Sequence, residues 1–106
     1  KLAYLYDPAH PAVLRMIKSI IDTGHANNIR VGMCGEMASD ELFTLVLLGL
    51  NLDEFSLSPL AVPQIKYIIR SVSFAEAKSI ANEALSLDTS KAVGSFMQAK
   101  LKKVLK

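Results

Sequence analysis

Among its 106 residues the sequence has one cysteine, four prolines and five glycines, and charge interrupts every long apolar run. Each scarcity excludes something. One cysteine cannot close an internal disulfide, so a reducing cytoplasm is the expected compartment. Few turn-forming residues, no internal repeat and no low-complexity stretch exclude a linker or a disordered tail. The uncharged run from Leu42 to Leu52 falls far short of the roughly 20 apolar residues of a membrane span, so no membrane insertion is expected. Twelve basic against ten acidic residues leave a net charge of +2, too little for a nucleic-acid surface. The opening, Lys1-Leu2-Ala3-Tyr4-Leu5-Tyr6-Asp7, meets charge and Pro8 too early for a signal peptide. It reads as loop and has no initiator methionine, so a segment of something longer is expected. What is present, 51% hydrophobic and 21% charged residues, is the make-up of a globular core.

Helical patterns alternate with short β-branched runs. From Pro11 to about His25 the apolar Val13, Met16, Ile17, Ile20 and Ile21 recur at helical spacing. Pro11 suits a first helical position, and Gly24 with Asn27-Asn28 supplies a stop. Ile29-Arg30-Val31-Gly32-Met33-Cys34 predicts a strand ending at the cysteine. A helix over about Asp40 to Leu50 follows, with Ser39 or Asp40 as its cap. It is apolar nearly all round and should be buried on several sides. Glu54-Phe55-Ser56-Leu57-Ser58 predicts a second strand. Further helices are expected from Pro63 to Val72, after the capping box Ser73-Phe74-Ala75-Glu76, and from about Ser90 to Lys106.

Parallel strands joined by helices imply an α/β protein. Two strands are too few for one, because a parallel sheet needs covered faces and paired edges. The chain, read as one unit over 1–106, is therefore expected to be incomplete on its own.

The chemistry concentrates at Val31-Gly32-Met33-Cys34-Gly35-Glu36-Met37-Ala38-Ser39-Asp40. Cys34 falls where a strand ends and a glycine-flanked turn enters a helix, and in α/β barrels the carboxyl ends of strands carry the active site. Gly32 and Gly35 remove bulk beside the sulfur and let a substrate approach the backbone. A thiol in water has a pKa of about 8.5, so it holds a proton at neutral pH that it can give to an enolate. Beside a metal or cation it could serve as a nucleophile instead. The plainer reading is a buried structural cysteine.

At these residues the chain resembles the phosphoenolpyruvate-using enzymes, whose cysteine motif runs Gly-Met-Cys-Gly-Glu, then a small-residue turn and Asp. Two further stretches are similar to enzyme I of the bacterial sugar phosphotransferase system. One is Leu50-Asn51-Leu52-Asp53-Glu54-Phe55-Ser56-Leu57-Ser58 with Val62-Pro63-Gln64-Ile65-Lys66-Tyr67-Ile68-Ile69-Arg70. The other is Tyr4-Leu5-Tyr6-Asp7-Pro8 with Pro11-Ala12-Val13-Leu14. The cysteine motif alone also fits pyruvate phosphate dikinase or phosphoenolpyruvate synthase. Ser39 stands where the pattern expects Gly, and Leu57-Ser58-Pro59 departs from a more serine-rich wording.

The resemblance implies the carboxyl-terminal segment of a (β/α)8 (TIM) barrel, contributing its last two parallel strands with flanking helices. It implies a magnesium-dependent, normally dimeric transferase that moves the phosphoryl group of phosphoenolpyruvate to an enzyme histidine, then to a histidine-containing carrier protein for sugar uptake. Cys34 then corresponds to the proton donor to the pyruvate enolate. Gly35 becomes a candidate to offer backbone to the substrate, and Glu36 a candidate to orient the cysteine loop. The family's substrate arginines, its magnesium ligands and its phosphorylated histidine have no counterpart here. Arg15, Arg30 and Arg70 match none of those motifs, and His10 and His25 read as structural or solvated. No metal ligand is therefore assigned to this chain, and alone it is expected to be inactive.

Plainer readings stand beside the other features. Glu36 and Asp40, four apart at a helix start, are ordinary dipole and cap partners. The terminal helix sets Val93, Phe96, Met97, Leu101, Val104 and Leu105 beside Lys91, Lys100, Lys102, Lys103 and Lys106. A basic amphipathic helix can bind membranes or acidic partners, but a helix packed on the core with solvated lysines is the expectation. A rival of another class is a non-catalytic module that serves only for association.

Overall fold

Pro11 opens α1 (Pro11–Ala26), where its fixed φ suits the first turn and its missing N–H leaves no orphan donor. His10 caps the helix, its Nδ1 accepting from the Ala12 N–H at 3.0 Å. The structure is a computed structural model that describes residues 7–105. The loop expected at Lys1–Tyr6 and the helix end expected at Lys106 lie outside the described residues. The far end of α1 closes in a Schellman motif around Asn28, which takes a left-handed conformation at φ 60°. Its N–H donates to the His25 carbonyl at 3.0 Å, and the Ile29 N–H donates to the Gly24 carbonyl at 2.8 Å. The expected part of Gly24 in stopping the helix is corrected by its position inside α1. A Cβ there would lie 2.5 Å from Val31 Cγ2, so glycine lets the chain pass close to the helix on its way into the strand.

The two strands are β1 (Gly32–Met33) and β2 (Glu54–Phe55), paired parallel with Gly32 opposite Glu54 and Met33 opposite Phe55. Both are shorter than the runs 29–34 and 54–58 predicted for them. Among the described residues each strand has only the other as neighbour. Bonds from Asp53 N–H to the Val31 carbonyl (3.0 Å) and from Ser56 N–H to the Met33 carbonyl (2.8 Å) continue the pairing at each end. Asp53 also fastens the strands to α1. Its Oδ2 accepts from the Val31 N–H at 2.8 Å and bonds His25 Nε2 at 2.6 Å.

After the cysteine turn a short helix that the periodicity does not signal, α2 (Glu36–Ser39), precedes α3 (Glu41–Gly49). Asp40 caps α3, its Oδ1 accepting from the Leu42 N–H at 3.0 Å. As its sequence implies, α3 is sheathed on nearly all sides, with Phe43, Thr44, Leu45, Val46 and Leu47 all buried. The chain returns through a 3₁₀ turn (Pro59–Ala61) into α4 (Val62–Arg70), α5 (Phe74–Leu85) and α6 (Ser90–Val104). At the head of α5 the capping box is complete in both directions.

Helix α3 packs mainly on α5 and also touches α4 and α6. At Gly49 the helices come close enough that a Cβ would stand 2.0 Å from the Ala77 carbonyl oxygen. The fold thus mixes helices with one parallel strand pair, and its core is helical, Leu47, Ala84, Val93 and Met97 meeting Leu14 and Ile21 of α1. The radius of gyration, 13.2 Å, matches the about 13 Å of a compact body of 100 residues.

Candidate functional site

Cys34 follows the last residue of β1, at the strand's carboxyl end, and is exposed. That overturns the reading of a buried structural cysteine. Gly35 comes next with φ 90° and ψ −165°, a conformation that side chains resist, and caps α2. A Cβ on it would meet nothing within 4 Å, so what requires glycine here is backbone angle and not space. The peptide beside the thiol is exposed and open to approach.

A shallow cleft of about 270 Å³ opens against this turn, lined by Gly35, Glu36, Ser39, Ser56 and Ser58. Two bonds to the segment after β2 bracket the cysteine. The Met33 carbonyl accepts from the Ser56 N–H, and Ser39 Oγ accepts from the Ser58 N–H at 3.1 Å. Below the turn Met37 and Ala38 point into the interior and are buried. Glu36 is the first residue of α2, is exposed, and lines the cleft. Asp40 is not among the residues lining the cleft and serves as the cap of α3.

Of the residues singled out from the sequence, Cys34, Gly35 and Glu36 share this turn. His10 and His25 do not join it, since one caps α1 and the other bonds Asp53. Arg15, Arg30 and Arg70 are exposed and line none of the cleft. The serines were the missed signal. In 54–58 the polar Glu54, Ser56 and Ser58 alternate with Phe55 and Leu57, and that period of two sets one polar side toward solvent.

The Asp53 carboxyl titrates below the ordinary carboxylate range, first because the Val31 N–H donates to it and then because His25 does, with the nearby Arg30 charge adding a little. Among the described residues no three His, Cys, Asp or Glu side chains gather as a cation would require. A larger hollow of about 470 Å³ lies beside α5 and α6, walled by Lys100, Lys103, Glu76 and Ser79. It shares no residue with the strand ends or the cysteine turn, so the smaller cleft is the chemical candidate. On α6, Val93 and Met97 are buried while Lys102 and Lys103 stay in solvent near its negative end. Among the described residues no helix is long and apolar enough to cross a membrane.

Residues 1–74 match a family model described as PEP-utilising enzyme, PEP-binding domain. The chain belongs to the PEP-utilising enzymes. Curated relatives in the same family are similar over most of its length. A phosphoenolpyruvate-protein phosphotransferase of Haemophilus influenzae is 47% identical over 97 residues, covering 92% of this chain and 17% of that protein. The protein of that name from Buchnera aphidicola is 46% identical over 92 residues, 87% of the chain and 16% of the relative. The one from Bacillus subtilis is 41% identical over 102 residues, 96% of the chain and 18% of the relative. The chain thus spans about a sixth of the length of the curated relatives it matches. Membership of the PEP-utilising family places the Cys34 turn, the cleft and both strands within the matched part.

Proposed function

We propose that the chain forms the carboxyl-terminal part of the phosphoenolpyruvate-binding (β/α)8 barrel of a phosphoenolpyruvate-protein phosphotransferase, with Cys34 as proton donor. One observation carries the reading: a single exposed thiol ends a parallel strand beside a glycine-opened cleft, in a chain whose similar relatives bear that name. In the reaction a phosphorus–oxygen bond of phosphoenolpyruvate breaks and a phosphorus–nitrogen bond forms on a histidine elsewhere in the longer protein. The enolate of pyruvate remains. Its methylene carbon takes the Cys34 proton, the electron pair stays on sulfur, and water reprotonates the thiolate. Proton transfer by a positioned group is typically worth about 10² to 10⁴ in rate. The Gly35 peptide is the candidate to meet the substrate, and Glu36 the candidate to hold the turn.

A histidine-containing carrier as acceptor, a homodimer and a cytoplasmic setting accompany this reading. So does magnesium, but the described residues offer it no ligand set, and no step above passes through it. The rival assignment to an ATP-using dikinase or synthase is answered by the same experiment. A full-length protein carrying this segment is given labelled phosphoenolpyruvate with magnesium and no ATP. Label on histidine that passes to a small carrier protein is the expected result. No transfer to the carrier without ATP, with pyruvate and ATP consumed instead, moves the chain to the dikinase or synthase branch.

A further inference from the structure

The cysteine turn is held at both ends by the same neighbouring segment. On the strand side the Met33 carbonyl accepts from the Ser56 N–H at 2.8 Å. On the helix side Ser39 Oγ accepts from the Ser58 N–H at 3.1 Å, across 19 positions of sequence. Between these two clips lie Cys34, the left-handed Gly35 and Glu36. The bonds that close α2 from within are long, 3.3 Å from Ser39 N–H to the Gly35 carbonyl and 3.3 Å from Asp40 N–H to the Met37 carbonyl. The turn is thus weakly fixed by its own backbone. Any L residue at position 58 other than proline offers the same N–H, so only the hydroxyl at 39 decides whether the second clip exists.

We propose that Ser39 is a positioning residue for the Cys34 thiol, acting through its hydroxyl bond to the Ser58 backbone. The bond ties α2 to the segment beyond β2, sets the width of the cleft between them, and limits the freedom of the Gly35 hinge. A thiol that donates a proton to carbon needs a fixed approach, and a misplacement of about 1 Å can lower a rate by up to about 10²-fold. Ser39 touches no reacting atom in this account. Its catalytic consequence rests on the proton-donor reading of Cys34, whereas its hold on the turn does not.

The test therefore uses two readouts on a full-length phosphotransferase carrying this segment. The first is the rate of iodoacetamide alkylation at Cys34, followed by mass spectrometry of its peptide at fixed pH. The second is kcat and KM for pyruvate release from phosphoenolpyruvate. In Ser39→Ala the alkylation rate is expected to change at least about threefold and kcat to fall about tenfold, with KM within about twofold. Ser39→Thr, which keeps the hydroxyl, should restore both. An alanine variant with unchanged alkylation overturns the proposal. So does a loss of kcat that follows the melting temperature and is not rescued by threonine. Cys34→Ala separates the two levels. If it leaves turnover intact, the proton-donor reading fails, while an altered alkylation rate in Ser39→Ala still supports the clip.

Discussion

Thr44 is wholly buried in α3, and its hydroxyl has no hydrogen-bond partner among the described residues. A buried donor without a partner loses its bonds to water and gains nothing, a penalty of about 1 to 3 kcal/mol. Valine has nearly the same shape without the hydroxyl. Thr44→Val is therefore expected to leave the fold unchanged and raise stability by about 1 kcal/mol, read from urea midpoints at constant slope. A loss of similar size would mean that the hydroxyl has a partner in the complete protein. Asp53 carries the opposite kind of polar contact, a carboxylate that accepts from the Val31 N–H and from His25. Its folded pKa lies below the unfolded one, so the stability it contributes is complete above the unfolded value. That contribution is lost as pH falls through the folded value. Glu76 behaves in the same sense, because the Ser73 N–H donates to it. Melting curves between neutral pH and about pH 3 should fall toward acid, and Asp53→Asn should flatten that dependence while lowering the neutral plateau.

At the scale of elements, α3 and α5 are set by how closely they approach. Because a Cβ at Gly49 would stand 2.0 Å from the Ala77 carbonyl oxygen and 2.8 Å from Ala81 Cβ, Gly49→Ala cannot be absorbed by a side chain swinging aside. Overpacking typically costs about 1 to 3 kcal/mol, and a clash with backbone belongs at the upper end. A midpoint shift smaller than 1 kcal/mol would show that the two helices slide apart freely. The capping box is a second test. Ser73→Ala should cost about 1 kcal/mol with little change in the site, read by the same unfolding curves. These elements also mark what was legible. Apolar periodicity, Pro11, Asp40 and the Ser73–Glu76 box announce their helices in the residues themselves. The strands came out shorter than their β-branched runs, since strand length depends on neighbours as well as on propensity. Helix α2 escaped because four residues carry no period, and Gly24 was misjudged because its reason is a neighbour, Val31, distant in structure class though near in sequence. In the site, Cys34, Gly35 and Glu36 were legible from a local motif. The serines that complete the cleft were not, since Ser39 meets the Ser58 segment only through the folded pairing of two strands.

For the molecule as a whole, two observations pull in different directions. The helices bury a core around α3 and give a compact body, yet the strand pair is open on both edges among the described residues. On α1 the apolar stripe is wider than the surface that covers it. Leu14 and Ile21 are buried, while Met16 and Ile20, one turn apart, stay 58% and 56% exposed, and nearby Ile29 is 59% exposed. Open strand edges and uncovered isoleucine and methionine side chains are both surfaces that other chains can cover. If the 106-residue chain is prepared by itself, the helical core should hold it folded and the open side should drive self-association that deepens with concentration. Light scattering across a hundredfold dilution series measures this directly. Met16→Lys together with Ile20→Lys should push the equilibrium toward monomer without lowering the unfolding midpoint, because neither side chain contributes to the core. A chain that stays monomeric at every concentration would mean that the helices alone complete the fold, and the barrel proposed for this segment would lose its physical motive.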